Sequence, residues 1–261
     1  MSTLIRLKNT VDQRYLGYAR ESLYATHALF KRHKHEKKFV IFGRGRSGST
    51  LLVDLLNSSA DIYCDGEILN RPVISVRQHI INCSKRKPSR VYGFKLLSYQ
   101  LRSVHKLARP ESFLRQLSEE MGYQIIFITR KNLLRQTLSK HYAAFRNSWH
   151  ENQMTGERPK MKVDVQLLLK HLHEGHELGR YEKRVVSNLP HLPLTYEDNL
   201  SDPEKQDQTI ALFSDFMGLE KFKSQSRLKK IAGQHYSDFI ENHAEMEKAL
   251  SGGPFEKYLS Y

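Results

Sequence analysis

The stretch that decides the fold is Phe39-Val40-Ile41-Phe42-Gly43-Arg44-Gly45-Arg46-Ser47-Gly48-Ser49-Thr50-Leu51-Leu52. Its first four residues form an apolar run closed by glycine, which reads as a buried strand. Residues 49–57 (STLLVDLLN) return leucines at helical spacing and begin with hydroxyl residues suited to a helix start. The turn between them carries glycines at 43, 45 and 48. Such a turn lets backbone N–H groups converge on an anion, and the following helix adds the positive end of its dipole. Arg46 offers a permanent charge there, and Ser47, Ser49 and Thr50 offer hydroxyls.

Outward from this turn the punctuation stays regular. Residues 61–67 (DIYCDGE) include a second strand, 92–97 (YGFKLL) a third, and 124–129 (QIIFIT) the clearest buried strand of the chain. A short strand at 192–196 is opened by prolines. Helical patterns occupy 111–120, 132–147, 164–186, 203–217 and 244–250, and 152–160, with Gly156 and Pro159, reads as an exposed loop. Strands alternating with helices predict an α/β fold: three layers, with a central, mainly parallel sheet flanked by helices in a P-loop-like arrangement. Residues 38–261 are read as one domain, preceded by a basic helical extension over 1–37. In that extension Val11, Tyr15, Tyr18, Ser22, Leu23, Leu29 and Phe30 follow helical spacing, and the charged run 31–38 reads as a solvated linker. The extension suits a peripheral membrane contact, a cap on the domain or a dimer contact.

Composition narrows the function classes. Lys and Arg number 42 against 28 Asp and Glu, giving a formal net charge of +14. That balance attracts anions, whether nucleic acid, a membrane surface, an acidic acceptor or a phosphorylated cofactor. No helix-turn-helix, zinc-finger or aromatic RNA-binding signature accompanies it, so a nucleic-acid binder is the weaker alternative and no nucleic-acid partner is expected. No stretch reaches the roughly 20 apolar residues of a membrane span, and no apolar segment with a cleavage site follows Met1–Lys8. Cys64 and Cys83 read as two reduced thiols, which points to a cytoplasmic setting. His171, His173 and His176 lack metal-site spacing and read as a polar helix face, so no metal is expected.

The turn nearly matches the nucleotide-binding pattern GxxxxGK[ST]. Gly43, Gly48 and Thr50 fit, but Ser49 stands where a kinase or ATPase has its lysine. A P-loop-type kinase therefore remains an alternative with its key cation missing. The basic residue instead precedes Gly48 by two positions, and Arg46-Ser47-Gly48-Ser49-Thr50 resembles the 5′-phosphosulfate loop of sulfotransferases that use 3′-phosphoadenosine 5′-phosphosulfate (PAPS). It is similar to the Pro-Arg-Ser-Gly-Ser-Thr-Leu-Leu variant of that family, with Gly45 in the proline's place. Ile128-Thr129-Arg130 and the helix through Ser139 resemble the family's 3′-phosphate segment, which implies that Arg130 and Ser139 hold that phosphate. A guanidinium suits phosphate through its two parallel donors. Tyr196-Glu197-Asp198 resembles a segment whose tyrosine packs near the adenine, and Gly93-Phe94-Lys95 a strand of bacterial carbohydrate members. Asp238–Asn242 and Pro254–Leu259 resemble their C-terminal segments.

The resemblance implies transfer of a sulfuryl group from PAPS to a hydroxyl acceptor, with bacterial members pointing to a carbohydrate or glycolipid. It assigns Gly45, Arg46, Ser47, Gly48, Ser49, Thr50, Arg130, Ser139 and Tyr196 to the cofactor. Arg46 is also expected to act on the transferred group. Asp65-Gly66-Glu67 resembles the family segment that supplies a glutamate base, so Glu67 is the candidate base and His141 its reserve. The alternative for Glu67 is an ion pair with an arginine of the cofactor loop. The acceptor pocket is expected in the loops 68–90 and 146–165.

Overall fold

Apolar residues saturate the central strands, and the sheet follows from that. The structure, a computed structural model, describes residues 34–146, 159–226 and 235–260, with a few positions between 18 and 26. Five strands, β1 Lys37–Gly43, β2 Ile62–Asp65, β3 Val91–Leu97, β4 Tyr123–Thr129 and β5 His191–Thr195, form one sheet in the order β2-β3-β1-β4-β5. Every pairing is parallel. The register sets Gly43 level with Leu97 on one side and Ile128 on the other, so the β1 turn leaves the sheet between the ends of β3 and β4.

Helices cover both faces, as parallel strands require. On one face α1 Ser49–Leu56 and α7 Pro203–Met217 pack Leu52, Leu55, Ile210 and Phe213 against Phe39, Ile41 and Ile126. On the other, α2 Val76–Ser84, α3 Pro110–Arg115 and the end of α5 Val165–Val186 cover Val40, Phe42, Phe94 and Ile125. A third apolar cluster joins α4 Leu133–Phe145 to α5, α8 His243–Leu250 and the chain end through Leu138, Tyr142, Leu172, Phe239 and Phe255. A short α6, Tyr196–Asn199, follows β5 directly. This is the three-layer, P-loop-like α/β arrangement expected from the sequence, with a fully parallel sheet. None of the helices among the described residues is long and apolar enough to cross a membrane.

Two local expectations change, and one lysine proves buried. The charged run 31–38 is no solvated linker in its described part. His35 hydrogen-bonds the Ser84 and Ser89 carbonyls and stacks on Tyr92, and Lys37 and Lys38 donate to the carbonyls of Met217 and Met121. Those lysines close turns at the amino edge of the sheet. The expected loop 68–90 contains α2, whose N-cap Ser75 accepts from the Gln78 N–H at 3.3 Å. Lys95 is only 6% exposed, because β3 lies between two strands. Most of the extension 1–37 and of the loop 152–160 lies outside the described residues.

Candidate active site

The strand order places a switch point between β1 and β4. The chain leaves β1 toward β2 on one side and leaves β4 toward β5 on the other. Crevices at such points, beyond the carboxyl ends of the strands, are where α/β sheets bind ligands.

The β1–α1 turn leaves the start of its helix uncapped. Gly48 is the N-cap of α1 with φ 88°, and a Cβ there would lie 2.7 Å from Tyr196 Cδ2. Without a side chain it caps nothing, and no acidic residue occupies the first turn of α1. The first N–H groups of a helix have no partner within it, and the dipole makes this end positive. Arg46 is held in the left-handed region at φ 64°, a conformation that costs a non-glycine residue about 1–2 kcal/mol. Strain of this kind persists where neighbours fix it, and they do here. The Arg130 Nη1 donates to the Arg46 carbonyl at 3.1 Å, and the Gln136 Nε2 to that of Gly45 at 2.9 Å. Arg46 Nε donates to Ser139 Oγ at 2.9 Å, and Ser47 Oγ to the Arg44 carbonyl at 2.7 Å.

On the β4 side, Arg130 lies over the Tyr196 ring, 4.7 Å from its centre. Its Nε is 3.6 Å from Glu197 Oε1, an ion pair too long for a hydrogen bond. Burial lowers the pKa of this guanidinium, while Tyr196 and Glu197 oppose the shift; arginine keeps its charge regardless. Glu197 also accepts from the backbone N–H groups of Lys131 at 2.8 Å and Asn132 at 3.1 Å. Asn132 caps α4 by accepting from the Arg135 N–H.

On the β3 side, Lys95 Nζ donates to Thr50 Oγ1 at 3.1 Å and pairs with Glu67 Oε1 at 2.9 Å. Glu67 Oε2 accepts from Tyr99 Oη at 3.1 Å and from Gln100 Nε2 at 3.0 Å. One ammonium thus links the candidate base to the cofactor turn. The alternative reading of Glu67 paired it with an arginine of the turn; its ion-pair partner is Lys95.

The remaining turn cation faces away. Arg44 Nη1 donates to the Gly175 carbonyl of α5 at 2.6 Å, and its Nε and Nη2 lie 3.3 Å from Glu182 Oε2. Glu182 is 1% exposed and its other oxygen accepts from Ser98 Oγ. Burial raises the Glu182 pKa, while Arg44 and Ser98 pull it back.

The structure therefore gathers the 45–50 turn, Arg130, Ser139 and Tyr196 beyond the carboxyl ends of β1 and β4, with Glu67 joined to Thr50 through Lys95. His141 is not brought there. Gln136 and Ser139 turn one side of α4 toward the loop. His141 lies on another side, its Nε2 2.7 Å from His171 Nδ1. Burial first, then His171 and Lys140, push its pKa down to about 4. His173 packs edge-on against Phe255 at 4.7 Å, so the α5 histidines are a packing surface as well as a polar face. Lys95, Tyr99, Gln100, Gln136 and Glu197 were not among the sequence candidates. Lys95 had a signal: a lysine inside the apolar strand VYGFKLL must find a partner if the strand is central.

No protein-family model matches the chain, and no curated protein matches it. Among solved structures it is similar to mouse sulfotransferase SULT7A1 complexed with PAP, with a TM-score of 0.42 and 16% sequence identity. The alignment covers 76% of this chain and 64% of that one, so the chain spans less than two thirds of that structure's length.

Proposed function

We propose that this chain is a sulfotransferase that moves a sulfuryl group from PAPS to a hydroxyl acceptor, a carbohydrate or glycolipid, in the cytoplasm. The observation that carries the reading is an α1 N-terminus that its own N-cap leaves uncapped, preceded by a turn that Arg130 braces through the Arg46 carbonyl and met at Thr50 by Lys95, with Glu67 tied to that lysine.

Each group has a task in an in-line displacement. The N–H groups at the start of α1, with Ser47, Ser49 and Thr50, hold the 5′-phosphate. Arg130 and Ser139 hold the 3′-phosphate, and Tyr196 lies beside the adenine. Glu67 accepts the hydroxyl proton as the acceptor oxygen bonds to sulfur. The bond from sulfur to the 5′-phosphate oxygen breaks, and adenosine 3′,5′-bisphosphate leaves. Arg46 and Lys95 stabilise the negative charge that grows on that departing oxygen.

The ordinary kinase reading fits less well. P-loop enzymes place Mg²⁺ on the hydroxyl that Thr50 would supply. Here that hydroxyl meets the Lys95 ammonium at 3.1 Å, and a cation at this spot repels a second one.

Calorimetric titration tests the choice. Adenosine 3′,5′-bisphosphate should bind without magnesium, and at least about tenfold more tightly than AMP, because one charge-assisted contact is worth that much. Tighter binding of ATP with magnesium would overturn the reading. A screen of extracts with sulfur-labelled PAPS would then identify the acceptor.

A further inference from the structure

Arg44 sits in the middle of the cofactor turn, yet its charge is spent elsewhere. The guanidinium crosses to α5 and enters a slot made by the absence of two side chains. Gly175, Gly179 and Glu182 are spaced i, i+4 and i+7, so they share a face of that helix. A Cβ at 179 would lie 2.7 Å from Arg44 Nη2, and one at 175 would lie 3.1 Å from Nη1 and 3.0 Å from Leu133 Cδ1. Glycine is an unfavourable residue in a helix interior, so this helix gives up stability at two positions to admit the arginine.

At the end of the slot, Glu182 uses both oxygens. Oε2 takes Arg44, from the turn after β1, and Oε1 takes Ser98, from the segment after β3. The two residues after Ser98 are Tyr99 and Gln100, which hold Glu67 Oε2. Gln100 is fixed in turn, its Oε1 accepting from the Leu97 N–H at 3.1 Å. One buried carboxylate therefore braces the backbone of the anion-binding turn and the backbone that aims the candidate base. It touches neither the base nor the crevice.

We infer that Glu182 is a positioning residue, which locks the 43–48 turn and the 98–100 segment at a fixed separation through Arg44 and Ser98. This rests on the reading of the turn as the phosphosulfate site and of Glu67 as the base. Group transfer depends on such a separation, since misplacement by about 1 Å can cost on the order of a hundredfold in rate.

Gly179→Ala is the sharpest probe. It removes no charged group and puts a methyl where the Arg44 guanidinium lies. In an ordinary helix this change is stabilising. Here it should weaken adenosine 3′,5′-bisphosphate binding by about tenfold, as expected when a charged anchor is displaced. It should also speed amide hydrogen exchange in peptides covering 43–48. Ser98→Ala cuts the other arm. It should lower kcat several-fold, leave the KM for PAPS nearly unchanged and speed exchange over 97–101. Glu182→Gln should do both. If Glu182→Gln fails to fold, the two arms still decide.

Gly179→Ala with unchanged exchange in the turn, or Ser98→Ala with unchanged exchange over 97–101, overturns the inference. So does a set of variants that differ from the wild type in melting temperature alone. If the wild-type chain binds no bisphosphate, the sulfuryl-transfer reading falls, and the exchange measurements still judge the brace.

Discussion

Two βα turns meet at the carboxyl edge of this sheet, and they finish their helices in opposite ways. At the β1–α1 turn the N-cap is Gly48, so the positive end of α1 receives no side chain. At the β4–α4 turn the N-cap is Asn132, and the Glu197 carboxylate also covers the N–H groups of residues 131 and 132. The second helix start has an anion supplied by the protein, and among the described residues the first has neither a side-chain cap nor an acidic residue in its first turn. On the proposed function the cofactor supplies the anion at α1, and the 3′-phosphate is held by side chains rather than by the α4 backbone. On the proposed function the labour divides: chemistry at the α1 turn and its β3 neighbour, recognition at β4.

That division predicts variants whose effects separate. Glu67→Gln keeps the shape of the site and removes the proton acceptor. Its kcat should fall by roughly 10²–10⁴, the usual contribution of a general base, with bisphosphate affinity almost unchanged. Turnover equal to wild type would remove Glu67 from the mechanism and break the comparison on its β3 side.

Arg130→Ala should act in the other way. Loss of a charged partner is worth about 1.5–3 kcal/mol, so adenosine 3′,5′-bisphosphate should bind about 10- to 100-fold more weakly. AMP, which lacks the 3′-phosphate, should bind nearly as it does to wild type. Equal losses for both nucleotides would show that Arg130 serves the turn through the Arg46 carbonyl and does not read the second phosphate.

Gly48→Ala tests the uncapped helix start. The backbone there is left-handed, and the new methyl would press on the Tyr196 ring and on Leu200 Cδ1 at 3.0 Å. A strained residue of this kind costs about 1–3 kcal/mol, which should appear as a lower melting temperature and a displaced Tyr196. An unchanged melting temperature would mean that the turn relaxes freely and that its geometry is not fixed in advance.

The sequence made some of this plain and hid the rest for physical reasons. Strands β1, β3 and β4 were legible because central parallel strands are apolar throughout, and the glycines marked the turn. The placement of Arg46 and Arg130 beyond the carboxyl ends of β1 and β4 was legible because each comes after such a strand. That Lys95 is buried was not legible, since strand order is not written in the strand itself. Helix α2 was read as loop: VRQHIINCS has no clean apolar stripe, and it buries His79 and Asn82 beside Ile80 and Cys83. The brace from Arg44 through Glu182 to Ser98 was invisible, because its three members lie 54 and 84 residues apart along the chain or more.

His141 gives the smallest effect and a clear sign. Its folded pKa of about 4 lies below the ordinary value of 6.5, with burial the main cause. The folded protein therefore binds fewer protons than the unfolded chain between those two pH values, and stability should rise with pH across that window. His141→Asn should flatten this rise, read as denaturation midpoints from pH 4 to 7, and leave kcat at neutral pH near the wild-type value. The ring faces His171 on α5 rather than the crevice, so its titration belongs to the packing of α4 on α5. A large loss of kcat in this variant, with the pH dependence of stability unchanged, would instead return the base to histidine and leave Glu67 as the counter-charge of Lys95.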